Sequence, residues 1–323
     1  MTTTAVPMDL VPTENTTTVV DSQHQDYIYQ IAFDHYGRRV ATISNDRHVR
    51  IWDLNDGWHM AAEWQAHRGT TLSWAHPEYG SLLATGSVDQ DVKIWEERSN
   101  DRWVAKASLT EARRAVTKVE FAPRHLGLKL AVGSADGYVR IYEAVDIMNL
   151  AQWPLAATLQ PFQDGNKLGC SCLSWCTGRF EPPTLVVGGS HLVVYRYSEA
   201  ARAWQSILQL PSPEQGGVLD VAWAPNVGRR FHYIASAEDR QLRIYKFYRD
   251  MSEDKAENKP SLKLESSQAR ATSAWRCQWN VTGTVLASAG DMATVNLWKA
   301  DHTGQFQLVS EVQGNISQVA NQS

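Results

Sequence analysis

The residues best placed to do chemistry are three cysteines close together, Cys170, Cys172 and Cys176 in the run GCSCLSWC. Thiolates at such intervals bind zinc when a His or a fourth Cys completes a tetrahedron. No such ligand stands at a zinc-like spacing here, and the run falls where the other repeats have a strand, so it reads as buried structural thiols with no metal. A second set, His67 with Asp89, Thr85 or Ser87, and Trp95, has the residue types of a hydrolase triad. It lacks the Gly-x-Ser-x-Gly elbow and the oxyanion loop that acyl transfer needs. It reads instead as a buried polar tie, with His67 bonded to Asp89. Phosphate-binding loops, His-Glu-x-x-His helices and dinucleotide fingerprints are missing, and Gly188-Gly189 is a turn. The residues therefore point to a non-enzyme with no catalytic group, no cofactor and no metal.

Five acids recur at one place in a repeated phrase: Asp46, Asp89, Asp136, Asp239 and Asp291 each sit in a turn between two short apolar runs. A carboxylate there accepts backbone N–H groups and fixes a hairpin, so all five are structural turn acids. The phrase is clearest in FAPRHLGLKLAVGSADGYVRIYEA, from Phe121 to Ala144, where an Ala-Asp-Gly turn splits two alternating runs. It returns as RRVATISNDRHVRIWDL, LLATGSVDQDVKIWEE, YIASAEDRQLRIYKF and VLASAGDMATVNLWKA, with a worn copy, LVVGGSHLVVYRY, that lacks the acid. The six repeats are marked by Trp52, Trp95, Tyr142, Tyr195, Tyr245 and Trp298, spaced 43 to 53 residues apart. Four-stranded propeller blades recur at roughly 40–45 residues, and thirteen Trp and eleven Tyr suit the wedges between them. The expected fold is all-β, a six-bladed WD-repeat β-propeller over residues 16–311. Residues 1–15 read as a disordered leader, 249–260 (RDMSEDKAENKP) as a flexible charged loop within blade five, and 312–323 as a disordered tail. The first strand of blade two reads about two residues short, blade four reads as compressed, and the insert VDIMNLAQW of blade three reads as helical.

Net charge −4 and pI near 6.2 leave no basic footprint for direct nucleic-acid binding. The pairs Arg38-Arg39, Arg113-Arg114 and Arg229-Arg230 read as solvated loop charges. No apolar run approaches the ~20 residues of a membrane span, and the start MTTTAVPMDLVPTENTTT has no signal-peptide pattern. The expected compartment is cytosolic or nuclear, with reduced thiols and no use for the sequons at Asn15, Asn280 and Asn315.

Strand accounting is the informative step. The last repeat already owns four strands, because FQLVSEV follows Trp298, so TTTVVDS at 16–22 is spare. In circular order it is the outer strand of a missing seventh blade. An open ring with unpaired edges between blades one and six follows, and exposed edges invite strands from another chain. The residues expected to line this partner interface are Thr16, Thr17, Thr18, Val19 and Val20 on the orphan strand and Tyr27, Tyr29, Ile31 and Phe33 on blade one. Trp275, Arg276, Gln278 and Trp279 on blade six complete the set. A six-bladed ring closed by packing, with TTTVVDS as a loose leader, is the alternative, and it would leave a peptide-binding adaptor reading open.

Several phrases resemble one family: FAPRHLGLKLAVGSADGYVRIYEAVDIMNLAQW, WAHPEYGSLLATGS, WAPNVGRRFHYIA and WNVTGTVLASAGDMATVNLWKA are similar to the Seh-type nucleoporins, from about Asp21 to Ala300. These are the small WD-repeat subunits of the Y-shaped outer-ring coat of the nuclear pore complex. Met148, Asn149, Leu150 and Trp153 with the RIYEA phrase favour them over the sister Sec-type propeller of the COPII vesicle coat. WAHPEYG and QDYIYQIAFDHYGRRVATISNDR are shared by both, and the ending GNISQV is closer to the sister. The resemblance implies an open six-bladed propeller that receives a three-stranded seventh blade from a helical scaffold nucleoporin, in support of mRNA and protein transport. It implies location at the nuclear pore complex of the nuclear envelope. It also implies a second place in the SEA/GATOR complex, which regulates TOR signalling at the vacuolar or lysosomal membrane, reached through partners.

Overall fold

Runs in which Val, Ile and aromatic residues alternate with polar ones adopt extended backbone, because branched side chains pack well on a pleated surface. In the computed structural model such runs form six antiparallel four-stranded sheets, each built from four consecutive strands. The structure describes residues 20–55, 57–98, 101–162, 169–210, 216–238, 241–248, 261–269, 274–290 and 293–313, without the side chains of 261–269. The expected leader 1–15, Thr16 to Val19, the loop 249–260, Asp239, Asp291 and residues 314–323 lie outside the described residues.

The innermost strands of blades one to six are Ile28–Phe33, Gly69–Trp74, Val116–Phe121, Cys172–Trp175, Val218–Trp223 and Ala274–Trp279. The strand of blade two has six residues, as long as its counterparts in blades one, three, five and six. The expected shortening is therefore absent. The residues missing from the sequence come from the connection, where only Ala66, His67 and Arg68 join the outer strand Trp58–Gln65 to Gly69. Blade four has the shortest inner strand, at four residues. The outer strand of blade six, Phe306–Gln313, ends two residues past the expected limit of 311.

Every repeat marker is buried: Trp52, Trp95, Tyr142, Tyr195, Tyr245 and Trp298. The turn acids explain how the hairpins are fixed. Asp136 accepts from the Tyr138 amide (3.0 Å), the Arg113 amide (3.0 Å) and Arg140 Nη2 (2.8 Å). Asp46 accepts from the His48 and Gln25 amides (2.9 and 3.1 Å). The residue after each acid turns through the left-handed region, at Arg47, Gln90 and Gly137. Glycine, which adopts that conformation without strain, stands only in blade three of these.

The insert after the third strand of blade three is not helical. Its backbone bends, with the Met148 amide held by Asp146 Oδ1 (2.8 Å) and Trp153 Nε1 donating to the Leu150 carbonyl (2.9 Å). Leu150 and Trp153 are buried against Phe121 in the wedge between blades two and three. The cysteines also serve packing. Cys170 and Cys172 fill the space left by Gly133 and Gly188, where any Cβ would collide with their Sγ atoms. Burial pushes the thiols of Cys172 and Cys176 up to about 12 and those of Cys170 and Cys277 well above their ordinary range. Among the described residues, no group of three or more His, Cys, Asp or Glu side chains converges as a metal site would require. No helix of these residues is long and apolar enough to cross a membrane.

Five hydrophobic clusters hold the blades together, and each fills one junction: one–two, two–three, three–four, four–five and five–six. Inner strands pack in the same order, and among the described residues no comparable packing joins Ala274–Trp279 back to Ile28–Phe33. The ring is open between blades six and one.

Candidate functional site: the gap between blades one and six

Pleating sends alternate residues of a strand to opposite faces. In blade one, Ala41, Ile43, Val49 and Ile51 face blade two and join Leu72 and Leu83 in a cluster from which solvent is excluded. Blade six aligns on this register residue for residue: Ala287, Ala289, Val295 and Leu297 hold the same positions. Among the described residues no seventh blade meets them here. Val49 is 0% exposed and Val295 38%, while Ala287, Ala289 and Leu297 are half-buried. An apolar sheet face that is sealed at the other five junctions lies open at this one.

The opposite wall is different. Val40, Thr42, Arg50 and Trp52 point from blade one toward the gap, yet they are buried, because the chain entering the first strand folds across them. His24 is the clasp. Trp52 Nε1 donates to Thr42 Oγ1 (3.4 Å), which pairs with His24 Nε2 (2.9 Å), and His24 Nδ1 meets Asp46 Oδ2 (2.8 Å). The carboxylate fixes the tautomer by accepting a hydrogen bond from Nδ1–H. Arg50 Nη1 donates to the Ser22 carbonyl (2.9 Å) and its Nε and Nη2 to Glu63 Oε1 (2.9 and 2.7 Å). Burial pushes the Asp46 carboxyl up, but the hydrogen bonds from His24 and the His48 and Gln25 amides outweigh it and hold it at about 2. Burial likewise keeps His24 below the usual imidazole range, against the pull of Asp46.

Blade two carries the same tie in an altered form. Trp95 Nε1 donates to Thr85 Oγ1 (2.9 Å), but His67 Nδ1 bonds Asp91 (3.0 Å) and not Asp89. Asp89 is exposed at the tip of the turn, where its amide donates to Ser87 Oγ (2.9 Å). The turn SVDQD offers two acids, and the one farther along faces inward. His67 Nε2 is buried without a hydrogen-bond partner among the described residues.

The expected interface residues divide. Ile31 and Phe33 stand exposed on the free edge of blade one, with Tyr29 beside them, and Tyr27 lies just before the strand at 81% exposure. Trp275 (53% exposed), Arg276 and Gln278 are open on blade six. Trp279 is not: at 8% exposure it faces blade five, stacks on Tyr233 with ring centres 5.7 Å apart, and donates from Nε1 to the Ala222 carbonyl (3.1 Å). Adjacent positions of a strand cannot share a face, so Gln278 and Trp279 point apart. Val20 is exposed, and Val20 to Ser22 lie outside any strand. Ala287, Ala289, Val295 and Leu297 were not among the expected residues. Their signal was available, since each aligns with a core residue of blade one.

The gap opens into the central channel, a cavity of about 560 Å³ lined by all six inner strands. Lys118 Nζ lies 3.7 Å from Asp220 Oδ1 within it. Burial pushes the neighbouring Glu120 carboxyl up to about 7.

The family description "WD domain, G-beta repeat" matches residues 15–53 and 59–96. Nucleoporin SEH1-B of Xenopus laevis is 37% identical over 94% of this chain and 89% of its own length. Nucleoporin SEH1 of Homo sapiens is 37% identical over 93% of this chain and 89% of its own. A chain of the solved "Crystal Structure of Mitotic Checkpoint Complex" superposes with TM-score 0.64 at 18% identity, over 85% of this chain and 74% of that one, a likeness of fold.

Proposed function

The chain belongs to the SEH1 nucleoporin family of WD-repeat proteins, and from that premise we propose that it is a scaffold subunit of the nuclear pore's Y-shaped outer-ring coat which accepts a blade from a helical scaffold nucleoporin. The supporting observation is the apolar face of blade six, Ala287, Ala289, Val295 and Leu297, left open where the equivalent residues of blade one are sealed. Three donated strands would bring the completing blade to the four of the others if the spare run TTTVVDS of the sequence supplied the fourth. The Arg50 bond to the Ser22 carbonyl, which brings the entering chain along the gap side of blade one, agrees with that placement. Nothing in this arrangement needs a catalytic group. The role is to rigidify a helical partner at the pore of the nuclear envelope and so to support mRNA and protein transport.

The same acceptor face suits a subunit of the SEA/GATOR complex, which would bring the protein to the vacuolar or lysosomal periphery through that partner. The relatives named above favour the pore coat over the COPII coat. The open gap speaks against a closed peptide-binding adaptor.

Co-expression of the full chain with each helical scaffold nucleoporin, followed by hydrogen exchange on the free chain and the complex, tests the reading. New protection of 28–33 and 274–279 in the complex is the expected result. Edges already protected in the free chain would mean a ring closed on itself, with partners sought on its two ends.

A further inference from the structure

Propeller junctions are usually described by their apolar wedges, but here each is also tied by one repeated polar contact. At the inner strand of each of blades two to six, a side chain of the preceding blade accepts one or two of its backbone amides. Gln30 Oε1 accepts from the Leu72 amide (3.1 Å) at junction one–two. Thr71 Oγ1 accepts from Val119 and Ser73 Oγ from Phe121 (3.2 and 3.1 Å) at two–three. Glu120 Oε1 accepts from Trp175 (3.3 Å) at three–four, Ser174 Oγ from Trp223 (3.1 Å) at four–five, and Asp220 Oδ2 from Cys277 (3.1 Å) at five–six.

The strand registers show that only two positions do this work. The first holds Gln30, Thr71, Lys118, Cys172, Asp220 and Arg276, and the second holds Ala32, Ser73, Glu120, Ser174, Ala222 and Gln278. Where the first cannot accept, the second does. Lysine has no acceptor, and blade three makes its contact through Glu120. Blade six repeats that division: Arg276 has no acceptor, and Gln278 has one. Yet Gln278 is exposed, and among the described residues no inner strand follows it. On the other wall, Ile31 and Phe33 hold the register of Leu72 and Trp74 and receive no such bond from any described residue.

Resting on the blade-completion reading above, we propose that Gln278 accepts an amide N–H from the inner strand of the completing blade, and that this strand accepts the Ile31 amide, the Phe33 amide or both in return. The occupant is therefore a strand of a partner chain with a defined pattern. It carries an acceptor side chain (Ser, Thr, Asn, Gln, Asp or Glu) at one or both of two alternate positions, an apolar residue between them and an aromatic residue after the second. Every inner strand of this chain that donates or receives these bonds has that form, as in QIAF, TLSW, KVEF and DVAW. A tryptophan at the aromatic place gains a further bond to the Gln278 carbonyl, as Trp74, Trp175 and Trp279 bond the carbonyls of Ala32, Glu120 and Ala222. The continuity is with the five junctions already formed.

The test uses the full chain and whichever full-length helical scaffold nucleoporin co-purifies with it. Gln278→Met removes the acceptor at constant size, and Gln278→Glu restores it in the form that Glu120 already uses. The free variants should melt with the wild type, since Gln278 is exposed. Expected are a complex that dissociates about tenfold faster for Gln278→Met, within about twofold of wild type for Gln278→Glu, and slowed exchange of at least one of the Ile31 and Phe33 amides in the complex. A complex that protects either amide but loses nothing with Gln278→Met overturns the acceptor role and leaves blade completion standing. A complex that leaves both amides unprotected overturns blade completion and this proposal with it. Protection of either amide in the free chain, lost on deleting residues 1–19, makes the chain's own leader the occupant and also overturns it.

Discussion

Replacing Asp46 by Asn keeps the shape of the side chain and removes its charge, which isolates what the clasp over blade one contributes. The carboxylate takes His24 Nδ1, the Gln25 amide and the His48 amide, and it sits at about 2 against an ordinary 3.8. At roughly 1.4 kcal/mol per pH unit, that difference corresponds to about 2 kcal/mol of stability. The folded-state value is the lower one, so the contribution is complete above the ordinary value and fades as pH falls toward 2. By pH 3 about half remains, roughly 1 kcal/mol. Urea unfolding of wild type and Asp46→Asn at pH 7 and pH 3 reads this directly. Asp46→Asn should be about 2 kcal/mol less stable at pH 7 and about half as far below wild type at pH 3. Asp89→Asn, at an exposed turn tip, should match wild type within about 0.5 kcal/mol throughout. A stability difference for Asp46→Asn that stays constant from pH 7 to pH 3 would refute the charge-based account. So would an equal loss for Asp89→Asn.

Val295→Glu places a charge on the open face of blade six. It should leave the melting of the free chain within about 0.5 kcal/mol of wild type, whereas Val49→Glu at the equivalent register of blade one should prevent folding; thermal melts of the two variants check this. Trp279→Leu should destabilise the free chain by about 2–3 kcal/mol, measured by urea unfolding, because it empties the stack on Tyr233 and orphans the Ala222 carbonyl. Gly137→Ala meets no atom within 4 Å but must hold φ at +88°, so it should cost about 1 kcal/mol in the same assay.

Much of this architecture could be read before the structure, because alternation is a local property. The strand runs, the marker aromatics and the turn acids of blades one and three fall where the pattern put them. What failed depended on contacts between distant parts of the chain. SVDQD offers two carboxylates two residues apart, and only the fold chooses Asp91 for His67. Ile147, Leu150 and Trp153 repeat at helical intervals, yet Trp153 turns back onto the Leu150 carbonyl and the segment bends to fill a wedge. The connection of blade two looked like a short strand because missing residues cannot be assigned to loop or strand by composition. Trp279 could have been separated from Gln278 by counting alternate positions alone.

The two walls of the gap are unequal, and the reason lies in what each has within its own chain to cover it. Blade one turns toward the gap its Trp52, Thr42 and Arg50, the polar-capable face, and the entering segment Ser22 to Gln25 satisfies them through His24, Asp46 and the Ser22 carbonyl. Blade six turns toward it the other face of the same sheet design, with Ala287, Ala289, Val295 and Leu297. No hydrogen bond can cover such a face; only another apolar sheet can. Water satisfies the amides of Ile31 and Phe33 at little cost, so an open ring holds together without its seventh blade. The driving force for completing it is concentrated on blade six, and the alignment of whatever completes it is set by the two strand edges.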